Sequence, residues 1–200
     1  MNYREETLAS YEKHAAYFFQ YFKGLLDLER RYEFKKFLQL ISGKKILDCG
    51  CGGGDHSLYF QQQGLDVTGI DISPAMIALC KNKGVQAFLM DMESLTFGSN
   101  SFDGIWAVTS VLHVPKKNFP KVATEFYRVL RDSGILFLCL KEGDCERFLP
   151  DKNDATTGRF FAFWKEEEIC SIFSRYFEII ESRKVTTGNT NYLKIFLKKS

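Results

Sequence analysis

The sequence predicts an α/β fold: a doubly wound, mostly parallel seven-stranded sheet with helices on both faces, an antiparallel last strand and an N-terminal helical cover. Three observations predict it. From residue 45 onward, short apolar runs that stop on acids alternate with stretches of helical periodicity, the pattern of a parallel sheet with crossover helices. The first run, Lys45 to Cys49, meets glycines at 50, 52 and 54, which let the backbone turn tightly and let a ligand touch it. The last two runs are separated only by Thr187-Gly188-Asn189, too short for a crossover, so that pair is antiparallel.

Bulk properties suit one domain over residues 1–200, with 1–42 as the cover and 43–200 as the core. The 27 basic and 25 acidic side chains leave a net charge of +2, too little for a nucleic-acid footprint. Met1-Asn2-Tyr3-Arg4-Glu5-Glu6 is polar and carries no signal-peptide apolar region, and no apolar run approaches the roughly 20 residues that span a bilayer. The six cysteines, at 49, 51, 80, 139, 145 and 170, form no C-x-x-C, and three histidines supply little toward a metal site. We therefore expect no metal and a reducing, cytoplasmic setting.

Taken in order, the N-terminal forty residues read as two helices with a break near Gly24, on the spacing of Leu8, Tyr11, Ala15, Phe18, Phe19 and Phe22 and then Leu25, Leu28, Tyr32, Phe37, Leu40 and Ile41. Strand 45–49 feeds a helix at about 55–63 that Gly64 closes. Val67 to Ile70 is a strand stopping at Asp71, and Ser73-Pro74 opens a helix that reaches about Lys83. Strands follow at Val85 to Met90 and Phe102 to Val108. Phe119, Val122, Ala123, Phe126, Val129 and Leu130 mark a helix face, and Gly134 starts a buried strand through Leu140. Residues 142–163 read as a long irregular loop, a length that in a compact domain signals function or disorder. A helix from about Lys165 to Tyr176 and strands 177–185 and 191–198 complete the chain.

Ligands of such sheets bind at the carboxyl ends of the strands, where Asp48, Asp71, Asp91 and the segment after Val108 fall. Spacing narrows the ligand. A dinucleotide loop needs G-x-G-x-x-G, but its third glycine would be Asp55 or Ser57, and an acid there would face a pyrophosphate. A nicotinamide oxidoreductase is disfavoured on this ground. The pattern present is D-x-G-x-G-x-G, from Asp48 to Gly54. It resembles motif I of the class I S-adenosylmethionine-dependent methyltransferases. The resemblance implies a Rossmann-like fold and places Asp48, Gly50, Cys51 and Gly52 against an amino-acid and nucleoside ligand without phosphate.

Asp71 lies 21 residues past Gly50, the distance at which an acid accepts from a ribose diol. Asp71-Ile72-Ser73-Pro74 resembles the family's next motif, in which the apolar residue packs on adenine. The resemblance also places Asp91 at the adenine amino group and the Met92 backbone at a ring nitrogen. It places Ala107 and Trp106, in Ser101-Phe102-Asp103-Gly104-Ile105-Trp106-Ala107, beside the methionine portion. Thr7-Leu8-x-x-Tyr11-x-x-x-Ala15-x-Tyr17 resembles a cofactor-covering helix with Tyr11 over the ligand. With Leu112-His113-Val114-Pro115, Arg128-Val129-Leu130, Lys141-Glu142-Gly143, Arg159-Phe160-Phe161 and Tyr192 to Phe196, the chain from about Thr7 looks like a bacterial subgroup of methyltransferase-11/25-type proteins.

Methyl transfer from a sulfonium is an in-line displacement with a neutral leaving group, so alignment supplies much of the rate, up to about 7–11 kcal/mol. A base is required only when the nucleophile carries a proton, and His113 is the best-placed candidate. The motifs for methylating nucleic-acid bases are absent: Ala107-Val108-Thr109-Ser110 stands where Asn/Asp-Pro-Pro-Tyr/Phe would. The expected activity is therefore methyl transfer to O, N or S of a small molecule, with S-adenosylhomocysteine as product. The alternatives are a non-catalytic S-adenosylmethionine-binding regulator and an RNA methyltransferase. Lys141, Glu142 and Arg159, with Phe160, Phe161 and Phe163, point to a polar acceptor.

Overall fold

The computed structural model describes residues 3–21, 32–152 and 154–200. The expected helix break near Gly24, with Phe22, Leu25 and Leu28, lies outside them. Helix α1 (Tyr3–Lys13) opens the chain, the backbone is helical again over 15–21, and α2 (Glu33–Leu40) precedes the sheet. Then follow β1 (Lys45–Cys49), α3 (Asp55–Gln62), β2 (Asp66–Asp71), α4 (Pro74–Asn82), β3 (Gln86–Leu89), β4 (Phe102–Val108), α5 (Phe119–Val129) and β5 (Leu130–Lys141). The chain closes with β6 (Glu146–Asp151), β7 (Asp154–Ala162), α6 (Glu166–Phe173), β8 (Phe177–Thr187) and β9 (Thr190–Lys199).

Seven strands form one sheet in the order β3-β2-β1-β4-β5-β9-β8. The first five are parallel, and β9 runs antiparallel to both β5 and β8. The order reverses between β1 and β4, which opens a crevice at their carboxyl ends. β5 begins earlier than predicted, because Leu130 already pairs with Phe102; the register then slips across Ser133, whose φ is 61°, and resumes at Ile135.

Strand neighbours point to opposite faces, and the core divides accordingly. Leu47, Ile105, Ala107, Leu136 and Leu138 pack under α5 with Phe119 and Phe126. Ile46, Trp106, Phe137 and Cys139 pack with Phe34 and Phe37 of α2 and Phe60 of α3.

The predicted loop at 142–163 is instead the hairpin β6–β7, with Arg147 opposite Phe161 and Leu149 opposite Arg159. Pro150 and Gly158 interrupt any alternation that would advertise two strands. What the hairpin supports is α1, whose two buried residues are polar, Thr7 and Ser10. The Thr7 hydroxyl accepts from the Phe160 N–H at 3.0 Å, and the Ser10 hydroxyl donates to Asp151 at 2.6 Å. On the other flank Glu12 accepts from the Ala75 N–H (3.0 Å) and the Ser73 hydroxyl, tying α1 to the start of α4. The cover therefore docks through hydrogen bonds across the crevice.

Candidate active site

The turn after β1 is built around Gly50 (φ 77°), which a side chain would fill badly on two counts. The left-handed φ disfavours any Cβ, and one placed there would lie 2.2 Å from the Ser110 Cβ. Ser110 is itself held by donating to the Cys49 carbonyl at 2.6 Å. The N–H groups of Gly50 and Cys51 both reach the Ile70 carbonyl, at 2.8 and 2.9 Å, which binds the turn to β2. Gly52 differs. At φ 50° a Cβ on it would meet no atom within 4 Å, only open cavity, so a ligand can come close to the backbone there.

Asp71 closes this rim. Its Oδ2 accepts from the Gly52 N–H at 3.0 Å and its Oδ1 from the Ser73 N–H at 2.9 Å. Burial pushes its carboxyl up to about 6, with the Ser73, Gly52 and Ile72 N–H groups pulling the other way. Each carboxylate oxygen still has a lone pair for another donor. Further along, Asp91 accepts from the Glu93 N–H (2.9 Å) and pairs with Arg4 of α1 at 2.8 Å. Arg4 also reaches Glu93 at 2.7 Å, so the cover clamps this end of the crevice.

The crevice is a cavity of about 1200 Å³, larger than the roughly 300–1,000 Å³ of a usual single-ligand site. Of the residues expected to hold the cofactor or act as base, Tyr11, Gly50, Cys51, Gly52, Asp71, Ile72, Asp91, Met92 and His113 line it. Three predicted contacts do not. Trp106 is 1% exposed and lies in the α2-side core, 4.6 Å ring to ring from Phe34 and 4.4 Å from Phe137, its indole N–H donating to His56 Nδ1 at 3.0 Å. Ala107 is fully buried on the α5 side. Strand alternation sends both side chains into the two core layers, and the cavity is met one residue later, by Val108, Thr109 and Ser110. Asp48 is 3% exposed beneath the turn, where its carboxylate accepts from the Ser57 hydroxyl at 2.5 Å and so braces β1 to α3. Burial raises its pKa.

His113 has both ring nitrogens engaged. Nδ1 lies 2.6 Å from the Phe160 carbonyl and Nε2 lies 2.8 Å from the Tyr11 hydroxyl. The carbonyl can only accept, so Nδ1 carries the proton and Nε2 accepts from Tyr11. Burial, with Arg159 and Lys141 adding to it, lowers the imidazole to about 3, so the ring is neutral. The predicted base is thus poorly placed to take a proton from an acceptor, since Tyr11 already occupies its free lone pair and its proton affinity is small.

Sequence reasoning passed over several wall residues. Arg4, Phe18, His56, Glu93 and the β8–β9 turn from Val185 to Thr190 all face the cavity, and none carries a motif. Thr109 has a φ of 51° at the end of β4, a conformation a β-branched residue adopts only under constraint. No sequence signal announces it. Lys141 sits at the end of β5, with its ammonium 3.9 Å from the Phe161 ring centroid. Burial and the neighbouring Arg159, Arg147 and Lys152 cations lower it to about 8. Among the described residues no His, Cys, Asp and Glu cluster could hold a metal ion, and no helix is long and apolar enough to cross a membrane.

Comparison with known proteins bears on this arrangement. The family described as methyltransferase domain matches residues 47–138, from β1 into β5. Phosphoethanolamine N-methyltransferase 3 of Arabidopsis thaliana is 30% identical over 141 residues, covering 67% of this chain and 28% of that protein. Malonyl-[acyl-carrier protein] O-methyltransferase of Pectobacterium atrosepticum is 29% identical over 148 residues, 71% of this chain and 56% of that protein. The chain thus spans well under two thirds of these relatives. The crystal structure of an S-adenosylmethionine-dependent methyltransferase from Methanosarcina mazei superposes with a TM-score of 0.70 at 23% identity, over 78% of this chain and 92% of that one. The strand order, the glycine turn joined to Asp71 and the matched segment agree: residues 47–138 match the methyltransferase domain, and the chain has the fold of the S-adenosylmethionine-dependent methyltransferases.

Proposed function

We propose that this protein transfers a methyl group from S-adenosylmethionine to a small-molecule acceptor. One observation carries the reading: a glycine turn with open space over Gly52, hydrogen-bonded to Asp71, on the wall of a cavity of about 1200 Å³. The residues fit the cofactor. Asp71 has lone pairs for two ribose hydroxyls, Ile72 offers an apolar surface for adenine, and Asp91 with the Met92 backbone offers an acceptor and a donor beyond it. The volume leaves room for a second ligand. The relatives are named for phosphoethanolamine and for malonyl-acyl-carrier protein, which supports small or carrier-borne acceptors.

Bound there, S-adenosylmethionine supplies an electrophilic methyl on a sulfonium. The chain's part is to align, to exclude water and to hold charge. Tyr11 and Arg4 on α1 cover the site, and Tyr11 presents its hydroxyl at the boundary between the two ligands. His113 acts as a positioning residue: its Nε2 fixes the direction of the Tyr11 O–H. An acceptor atom that already has a free lone pair at neutral pH suits this arrangement, since His113 has both ring nitrogens engaged. We take residues 1–200 as one catalytic unit and place it in the cytoplasm, a reading that the six free cysteines support.

Calorimetric titration with S-adenosylmethionine and S-adenosylhomocysteine tests the cofactor, with micromolar binding expected and no heat from folded protein contradicting it. Incorporation of labelled methyl into a metabolite extract tests turnover; cofactor binding without any incorporation would favour a regulatory binder. Methylation of RNA, with binding that falls steeply as salt rises, would favour the RNA reading.

A further inference from the structure

Lys141 and Arg159 line the same cavity and are not among the residues assigned above to the cofactor. Both ends reach one aromatic ring: the Lys141 ammonium lies 3.9 Å and the Arg159 guanidinium 5.3 Å from the Phe161 centroid. Arg159 is partly satisfied, with Asp151 at 3.0 Å and the Tyr11 hydroxyl at 3.4 Å. Lys141 is not. Among the described residues no carboxylate comes within 4.0 Å of its ammonium, which lies instead against the Phe161 and Phe163 rings. A half-buried cation held beside other cations is costly unless something anionic completes it. The fold keeps it there at the carboxyl end of β5, two strands from the Gly50 turn on β1, or about 10 Å across the sheet. The cofactor rim, by contrast, presents the acids Asp71, Asp91 and Glu93. On that rim Arg4 pairs with Asp91 and Glu93, and on the other side Asp151 pairs with Arg159, whereas Lys141 has no such partner among the described residues.

We propose that the acceptor is an anion, a carboxylate or phosphate, whose charged group sits on Lys141 and Arg159. This rests on the methyltransferase reading above and names the acceptor class for the same site. A charge-assisted hydrogen bond is roughly twice as strong as a neutral one, and two cations offer two of them.

The test uses the full chain saturated with S-adenosylhomocysteine and three probes with one aromatic body: 2-naphthoate, 2-naphthyl phosphate and 2-naphthamide, titrated by calorimetry. At least one anion is expected to bind about tenfold or more tighter than the amide, and which one does so separates carboxylate from phosphate recognition. Lys141→Met is expected to remove that preference, and Lys141→Arg to keep it, with unchanged affinity for S-adenosylhomocysteine in both. Arg159→Met is not relied on, because Arg159 also ties Asp151 and Tyr11. Equal binding of amide and anions, or a preference that survives Lys141→Met, overturns the proposal. Loss of S-adenosylhomocysteine affinity in Lys141→Met also overturns it, by assigning the lysine to the cofactor. Failure of the wild-type protein to bind S-adenosylhomocysteine at all would instead defeat the methyltransferase reading.

Discussion

The two halves of the cavity are made in different ways. Over β1, β2 and β3 the wall is mostly backbone: a turn whose N–H groups reach the Ile70 carbonyl and Asp71, with Gly50 wedged against Ser110. Over β4, β5 and the β6–β7 hairpin it is side chains, Lys141, Arg159, Phe161 and the Tyr11–His113 pair, held by contacts between distant segments. Backbone geometry tolerates few substitutions and suits a ligand common to a family. Side chains can be exchanged without rebuilding the strand ends, which suits an acceptor that differs between relatives.

Breaking the backbone half should cost most. Gly50→Ala combines a left-handed Cβ, about 1–2 kcal/mol, with a clash against Ser110, about 1–3 kcal/mol. A loss of about 2–5 kcal/mol should appear in denaturant unfolding. Asp71→Ala should leave the fold intact and weaken S-adenosylhomocysteine binding by about 1–3 kcal/mol in calorimetry, through lost hydrogen bonds.

The same carboxylate sets a pH dependence. Ribose hydroxyls donate, so only ionised Asp71 binds them well. Because burial holds its pKa at about 6, cofactor affinity should be full at higher pH and fall as pH drops through about 6. Linkage runs the other way for the ligand-free protein. Folded Asp71 binds its proton more tightly than the unfolded chain does, so its contribution to stability declines as pH rises from about 4 to about 6, and Asp71→Asn should flatten that slope in pH-dependent melts.

Smaller effects are expected where side chains position one another. Tyr11→Phe and His113→Ala should each lower kcat, with S-adenosylhomocysteine affinity within about 1 kcal/mol of wild type. Neither the wild type nor Tyr11→Phe should show a histidine limb near pH 6.5, because the imidazole of His113 is held at about 3. Smallest of all, Lys184→Ala, which removes an exposed partner of Glu142, should leave melting and anion preference unchanged.

The contrast also explains what the sequence disclosed. Strands Lys45–Cys49 and Phe102–Val108 are largely buried, and their ends were legible to the residue, whereas those leading to Asp71 and Asp91 were placed within one residue at each end. Ser73 before Pro74 announced its helix, and its hydroxyl does accept from the Met76 N–H at 3.1 Å. The hairpin was hidden by Pro150 and Gly158. The face on which Trp106 lies depends on strand alternation set by the layers around it, which a motif does not specify. The docking of α1 was hidden because it depends on polar partners about 60 to 150 residues away, Glu12 with Ala75 and Thr7 with Phe160 among them, and such pairs leave no periodic trace.

The central claim is that the Gly50–Gly52 turn and Asp71 together hold an adenosyl group. A crystal structure of the complex with S-adenosylhomocysteine tests it most directly. The account predicts the ribose hydroxyls on the Asp71 carboxylate and the amino-acid portion against the glycine turn, leaving the Lys141 side of the cavity open. A ligand bound elsewhere, or one whose ribose turns away from Asp71, would contradict it.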